Sequence, residues 1–108
     1  MADHEREFLR GIFLMEAWDT VSTVEEGLPS LLVPVPSREA IAPMVVVAHR
    51  LKGAAALHGF AETAHLAGLL ESVLERAPDA ALNADAHGLV GDLLGAIKPM
   101  LDGIATAG

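Results

Sequence analysis

His49, Lys52 and Gly53 fall within five residues of one another in the run Ala48-His49-Arg50-Leu51-Lys52-Gly53-Ala54-Ala55-Ala56-Leu57-His58-Gly59-Phe60. Wound at about 100° per residue, a helix brings Lys52 and Gly53 to the side that carries His49. That side offers an imidazole, an ammonium one turn on, and a residue with no side chain beside them. Met44, Val47, Ala48, Leu51, Ala55 and Leu57 are expected to form most of the opposite, buried side. The histidine is therefore expected to face away from the core. Such a group suits the uptake, holding and release of a phosphoryl group. The ring nitrogen is the nucleophile, the lysine offsets incoming negative charge, and the glycine leaves room for the phosphate and its donor.

A fourth residue enters from the next helix. With the turn centred near Phe60, His49 and Glu71 are each eleven residues from the centre. An antiparallel hairpin then sets the carboxylate opposite the imidazole, where it can accept the Nδ1 proton. That fixes the tautomer and leaves Nε2 free to attack phosphorus. The bland alternative is a solvated surface glutamate.

Four helices must position these groups. Residues 3 to 27 read as the first, with Asp3 as its cap and Glu5 at the positive end of the dipole. Leu9, Phe13, Ala17, Val21, Val24 and Leu28 make its apolar stripe, which Phe8, Ile12 and Met15 are expected to widen. Trp18 reads as a partly buried residue at the rim. Gly27 and Pro29 stop the helix. Residues 28 to 37 carry Pro29, Pro34 and Pro36, which forbid a regular helix or a hairpin there. Their leucines and valines are expected to lie against the bundle. Ser37 caps the second helix, which runs from Arg38 or Pro43 to His58, Pro43 being either its first-turn residue or a kink. Val45 shares the side of His49. It reads equally as a rim for a docking partner or as packing, with Val46, under the proline-rich connection. Gly59 ends the helix and Phe60 turns the chain back into the core.

The third helix spans Ala61 to Arg76, with Leu66, Leu69, Leu70, Val73 and Ala77 as its core stripe. Ala64, Ala67, Gly68 and Glu71 make a second face whose small residues favour close packing against helix two. The fourth follows Pro78-Asp79, with Leu82, Ala86, Leu89, Leu93, Ile97, Met100 and Ile104 in helical register. Pro99 is expected to kink or end it, and Ala105 to Gly108 to fray. The expected fold is all-α, an antiparallel four-helix bundle.

Composition narrows the function. A chain of 108 residues suits one domain, residues 1 to 108. It is 52% hydrophobic, rich in Ala and Leu, and poor in aromatics, as close-packed helices require. There is no cysteine, so disulfides and thiolate metal sites are excluded. The unbroken apolar runs are too short to span a bilayer, and no charged-then-apolar leader stands at the start, so the expected compartment is the cytoplasm. A net charge of -8 disfavours nucleic acid and anionic membranes as partners. Arg50 and Lys52 stand out because two of only seven basic residues lie within three positions of His49. His58, Glu62 and His65 could line one edge of helix three, but His58 sits at a helix end and no third strong ligand is evident, so no metal is expected. His4 and His87 read as surface residues. No glycine-rich nucleotide loop is present, so no ATP site and no kinase activity of its own are expected.

The run His49-Arg50-Leu51-Lys52-Gly53-Ala54, with Gly59-Phe60 ten and eleven positions after His49, resembles the phosphoacceptor signature of histidine-containing phosphotransfer (HPt) domains. It is most similar to the N-terminal phosphotransfer domain of chemotaxis-type histidine kinases, and Phe8-Leu9 with Phe13 to Ala17 resemble that family's first helix. The resemblance implies a helical bundle whose histidine receives a phosphoryl group from a kinase domain or a receiver-domain aspartate and passes it on. It implies His49 as acceptor, Lys52 as the group that stabilises the phosphate, Gly53 as the gap, and Glu71 as the hydrogen-bond partner of the acceptor. Gly68 departs, because chemotaxis-type domains often have a histidine there. The implied partners are a receiver domain, a kinase catalytic domain, or both. Magnesium would come with the receiver, and this chain would carry no cofactor and act as a monomer. The competing expectation is a helical interaction module with the same fold and no phosphoryl traffic. A piece of a longer kinase is a third possibility.

Overall fold

The computed structural model describes residues 2–79 and 85–107. Four helices form, and no strand among the described residues: α1 (Asp3–Gly27), α2 (Arg38–Leu57), α3 (Ala61–Arg76) and α4 (Ala86–Thr106). They close into an antiparallel bundle in which α1 packs on α2 and α4, and α3 packs on the same two helices. The most extensive contact is between α2 and α3.

Local chemistry explains most of the helix ends. Ser37 Oγ accepts the Ala40 N–H at 3.1 Å and caps α2. At the other end Gly59 adopts φ 82°, a conformation that glycine takes without steric cost. Its N–H bonds the Ala56 carbonyl at 3.2 Å, and the Phe60 N–H bonds the Ala55 carbonyl at 2.8 Å. This closing motif reverses the chain sharply and satisfies two orphan carbonyls. Phe60 then packs against Phe13 with ring centroids 4.9 Å apart. At the start of α1 the expectation fails: Asp3 lies inside the helix, and the capping position is Ala2, which makes no side-chain cap. Pro43 is the sixth residue of α2, not a first-turn proline, and α4 continues past Pro99 to Thr106. Both prolines are exposed, so the carbonyls that they leave unpaired, those of Glu39 and Gly95, sit on solvent-facing turns. Of the tail expected to fray, Ala105 and Thr106 belong to α4 and the Ala107 carbonyl accepts a bond from Arg10 Nη1 at 2.5 Å, while Gly108 lies outside the described residues.

The core contains Phe13, Ala17, Val21 and Val24 of α1, Ile41, Met44, Ala48, Leu51 and Ala55 of α2, Ala67, Leu70 and Leu74 of α3, and Val90, Leu94, Ile97 and Leu101 of α4. Several stripe assignments need correction. Phe8 and Met15 are 68% and 62% exposed, because they lie nearly opposite Ala17 on the helical wheel. Leu57 is 86% exposed, because two residues beyond Ala55 turn it about 200° away from the core. On α4 the buried row is Ala86, Val90, Leu94, Ile97 and Leu101, so the expected row of Leu89, Leu93, Met100 and Ile104 is its flank. On α3, Leu69 is exposed, and Ala67 and Glu71 of the small-residue face are buried instead. Leu82 lies outside the described residues.

The connection after α1 begins as a single 3-10 turn, Leu28–Leu31, which Pro29 tolerates near its start. Leu31 and Pro36 are buried, whereas Leu32, Val33 and Val35 are exposed rather than laid on the bundle. Val45 is half-buried against the core and Val46 is exposed. By length and composition α2 could cross a membrane, being 20 residues long with mean hydropathy 1.3. Arg50 and Lys52 interrupt its apolar runs, but averaged over the helix the valines and alanines outweigh them. In this fold the apolar row of α2 faces the other helices.

Candidate functional site

The α2–α3 hairpin brings three of the four expected residues together. His49 Nδ1 lies 2.7 Å from Glu71 Oε2, and Lys52 Nζ lies 2.7 Å from Glu71 Oε1. One carboxylate thus bridges the imidazole and the ammonium, one oxygen to each. The tight turn at Gly59 sets α3 antiparallel to α2 in this register. His49 and Lys52 are three residues apart and so share a face of α2.

Exposure is graded across the trio. The His49 side chain is 66% exposed, Lys52 43% and Glu71 12%. A carboxylate so nearly enclosed requires partners for its charge, and it has two. No buried side-chain polar atom lacks a partner among the described residues. The Lys52 ammonium, first, and the His49 bond, second among the favourable influences, hold the Glu71 carboxyl below its ordinary value, while burial opposes them. Glu71 is therefore ionised at neutral pH. An ionised carboxylate at hydrogen-bond distance accepts the Nδ1 proton of a neutral imidazole, so the lone pair resides on Nε2. That atom makes no hydrogen bond among the described residues, and the ring that carries it is open to solvent.

Gly53 is exposed on the same side of α2, and a Cβ built there meets nothing within 4 Å. Arg50 is elsewhere: it lines the groove between α1 and α2 with Glu16, Asp19 and Thr20. At the end of the hairpin the His58 ring lies parallel to that of Phe60 and tilted by 44° to that of Phe13. No cluster of three or more metal-ligating side chains exists among the described residues. His4 is exposed and His87 half-buried.

Two contacts around the site escape the sequence reading. Thr20, buried on α1, has its hydroxyl 3.2 Å from the Glu16 carbonyl of its own helix and 3.3 Å from the Val47 carbonyl of α2, two residues before His49. Its signal was a β-branched polar residue three positions from Ala17 and four from Val24, inside the apolar stripe. The second is the contact between Gly68 and the Lys52 stem; the small-residue face pointed to close packing on helix two, but not to this side chain.

No curated protein and no solved structure matches the chain. A family model described as the Hpt domain matches residues 9–106, which takes in nearly all of the four helices. Hpt domains are phosphocarrier modules rather than catalysts, and they interact with kinases and receiver domains. The chain belongs to the Hpt-domain family, and its role is accordingly one of phosphotransfer in two-component signalling.

Proposed function

We propose that His49 is the phosphoacceptor, taking a phosphoryl group from a kinase domain or a receiver aspartate and handing it on. The observation that carries this reading is the 2.7 Å contact from Nδ1 to Glu71 on a ring that is 66% exposed. The Nε2 lone pair attacks phosphorus, the N–P bond forms, and the bond from phosphorus to the donor oxygen breaks. The donor carboxylate or nucleotide diphosphate leaves with that electron pair. The positive charge that develops on the imidazole is offset by Glu71, while Lys52 offsets the charge of the transferred group and Gly53 leaves its approach open. Transfer onward reverses these changes toward a receiver aspartate. Magnesium arrives with the receiver, and ATP is bound by the kinase partner, not by this chain. The run from His49 to Ala54 and Glu71 resemble the phosphotransfer domain of chemotaxis-type kinases. In this reading residues 1 to 108 act as one monomeric domain in the cytoplasm.

The test is incubation with a phosphorylated receiver or a kinase core. Acid-labile, alkali-stable label is expected on the wild type and none on His49→Gln, with both proteins showing the same helical circular dichroism. Equal labelling of the two rejects His49 as acceptor. Absence of label on either, together with partner binding indifferent to His49→Gln, returns the interaction module.

A further inference from the structure

Gly68 sits in the middle of α3, three residues before Glu71, where glycine is among the poorest helix formers. Two ordinary reasons for a glycine do not apply. Its backbone is not left-handed, since Gly59 is the only glycine with positive φ among the described residues. Nor does the α2 backbone press against it. A Cβ built at Gly68 meets only the side chain of Lys52, with Cδ at 3.3 Å and Cγ at 3.9 Å. By contrast, a Cβ at Gly53, Gly91 or Gly95 meets nothing within 4 Å.

The geometry points to Gly68 as a positioning residue for Lys52: by presenting no side chain, it opens a track across α3 along which the lysine stem reaches Glu71. The stem has four rotatable methylenes and is nearly half exposed, so little else confines it. Lying over Gly68, it delivers Nζ to Oε1 and leaves Oε2 for the imidazole. A larger side chain at position 68 meets the stem first and turns the ammonium out to solvent. Glu71 then keeps His49 and loses Lys52. The consequence for phosphoryl uptake rests on His49 being the acceptor; the positioning itself does not.

The test follows the Glu71 side-chain carboxyl through an acid titration by carbon-detected NMR, its facing ionisable groups being His49 and Lys52. The chains compared are wild type, Gly68→Leu, Gly68→Met, Lys52→Ala, and Gly68→Met combined with Lys52→Ala. In either position-68 variant the Glu71 midpoint is expected to rise toward that of Lys52→Ala. In the Lys52→Ala background Gly68→Met is expected to add nothing. Should Gly68→Leu not fold, Gly68→Met decides. A midpoint unchanged from wild type in the folded variants overturns the inference, and so does a rise of equal size in the Lys52→Ala background. In parallel, loading of label is expected to slow several-fold in Gly68→Met and by a similar factor in Lys52→Ala. If the wild type takes no label while the titrations behave as expected, the positioning role stands and the acceptor role of His49 falls.

Discussion

Glu71 is the residue on which the trio turns, because its two oxygens serve different tasks. Glu71→Gln retains an acceptor for Nδ1 but removes the charge that favours an imidazolium and holds Lys52. A hydrogen bond to a charged group contributes about 1.5–3 kcal/mol, so loading of His49 is expected to slow by roughly ten- to a hundredfold if that energy is expressed in the transition state. Rapid-quench labelling with a receiver phosphodonor measures it. The same pair of proteins tests the pH dependence. The folded-state pKa of Glu71 is lowered, chiefly by Lys52, so its ionised contacts stabilise the fold fully above the ordinary glutamate value of about 4.3. That contribution is lost as pH falls through the lowered folded-state value. The melting temperatures of wild type and Glu71→Gln are therefore expected to differ at pH 7 and to converge in acid. The pairing of His49 with Glu71 was legible because it needed only a turn and a count of residues on either side. The sharing of the carboxylate with Lys52 was not, since it depends on how a flexible stem lies over Gly68.

At the scale of elements, the hairpin and its helix limits could be read from punctuation: Ser37 before α2, and Gly59 and Phe60 after it. The faces of α1 and α4 were harder. With 52% of the residues hydrophobic, these helices carry more apolar positions than four packed helices can cover. Phe8, Met15 and Leu89 are the surplus, and periodicity alone does not tell a flank from a centre. One close contact between elements has a measurable effect. Gly27 ends α1 beneath Met44 of α2, and a Cβ there would overlap the Met44 sulfur and crowd its neighbouring carbons. Met44 is itself buried, so it has little room to yield. Gly27→Ala is expected to destabilise the bundle by about 1–2 kcal/mol, overpacking outweighing the gain in helix propensity. Urea unfolding measures the loss, and a stabilised variant would show that Met44 swings aside freely.

The whole molecule is an elongated bundle of 50 × 21 × 20 Å, joined along α1 and α4 by ties such as Lys98 to Glu25 at 2.6 Å. Its core and its site are separable. Ile97 of α4 is fully buried, and its truncation removes methyl and methylene groups far from the imidazole in connectivity. Ile97→Ala is expected to cost about 2–5 kcal/mol of stability, while label per folded molecule stays at the wild-type level. A fall in label beyond the unfolded fraction would show that α4 helps to shape the site. All three ionisable groups of the trio belong to one hairpin, closed by the three-residue reversal His58, Gly59 and Phe60. Loosening of the outer helices, by breathing or by surface drift over generations, therefore leaves the imidazole–carboxylate register intact. Substitutions on the exposed sides of α1 and α4 can then accumulate without moving the imidazole relative to its carboxylate.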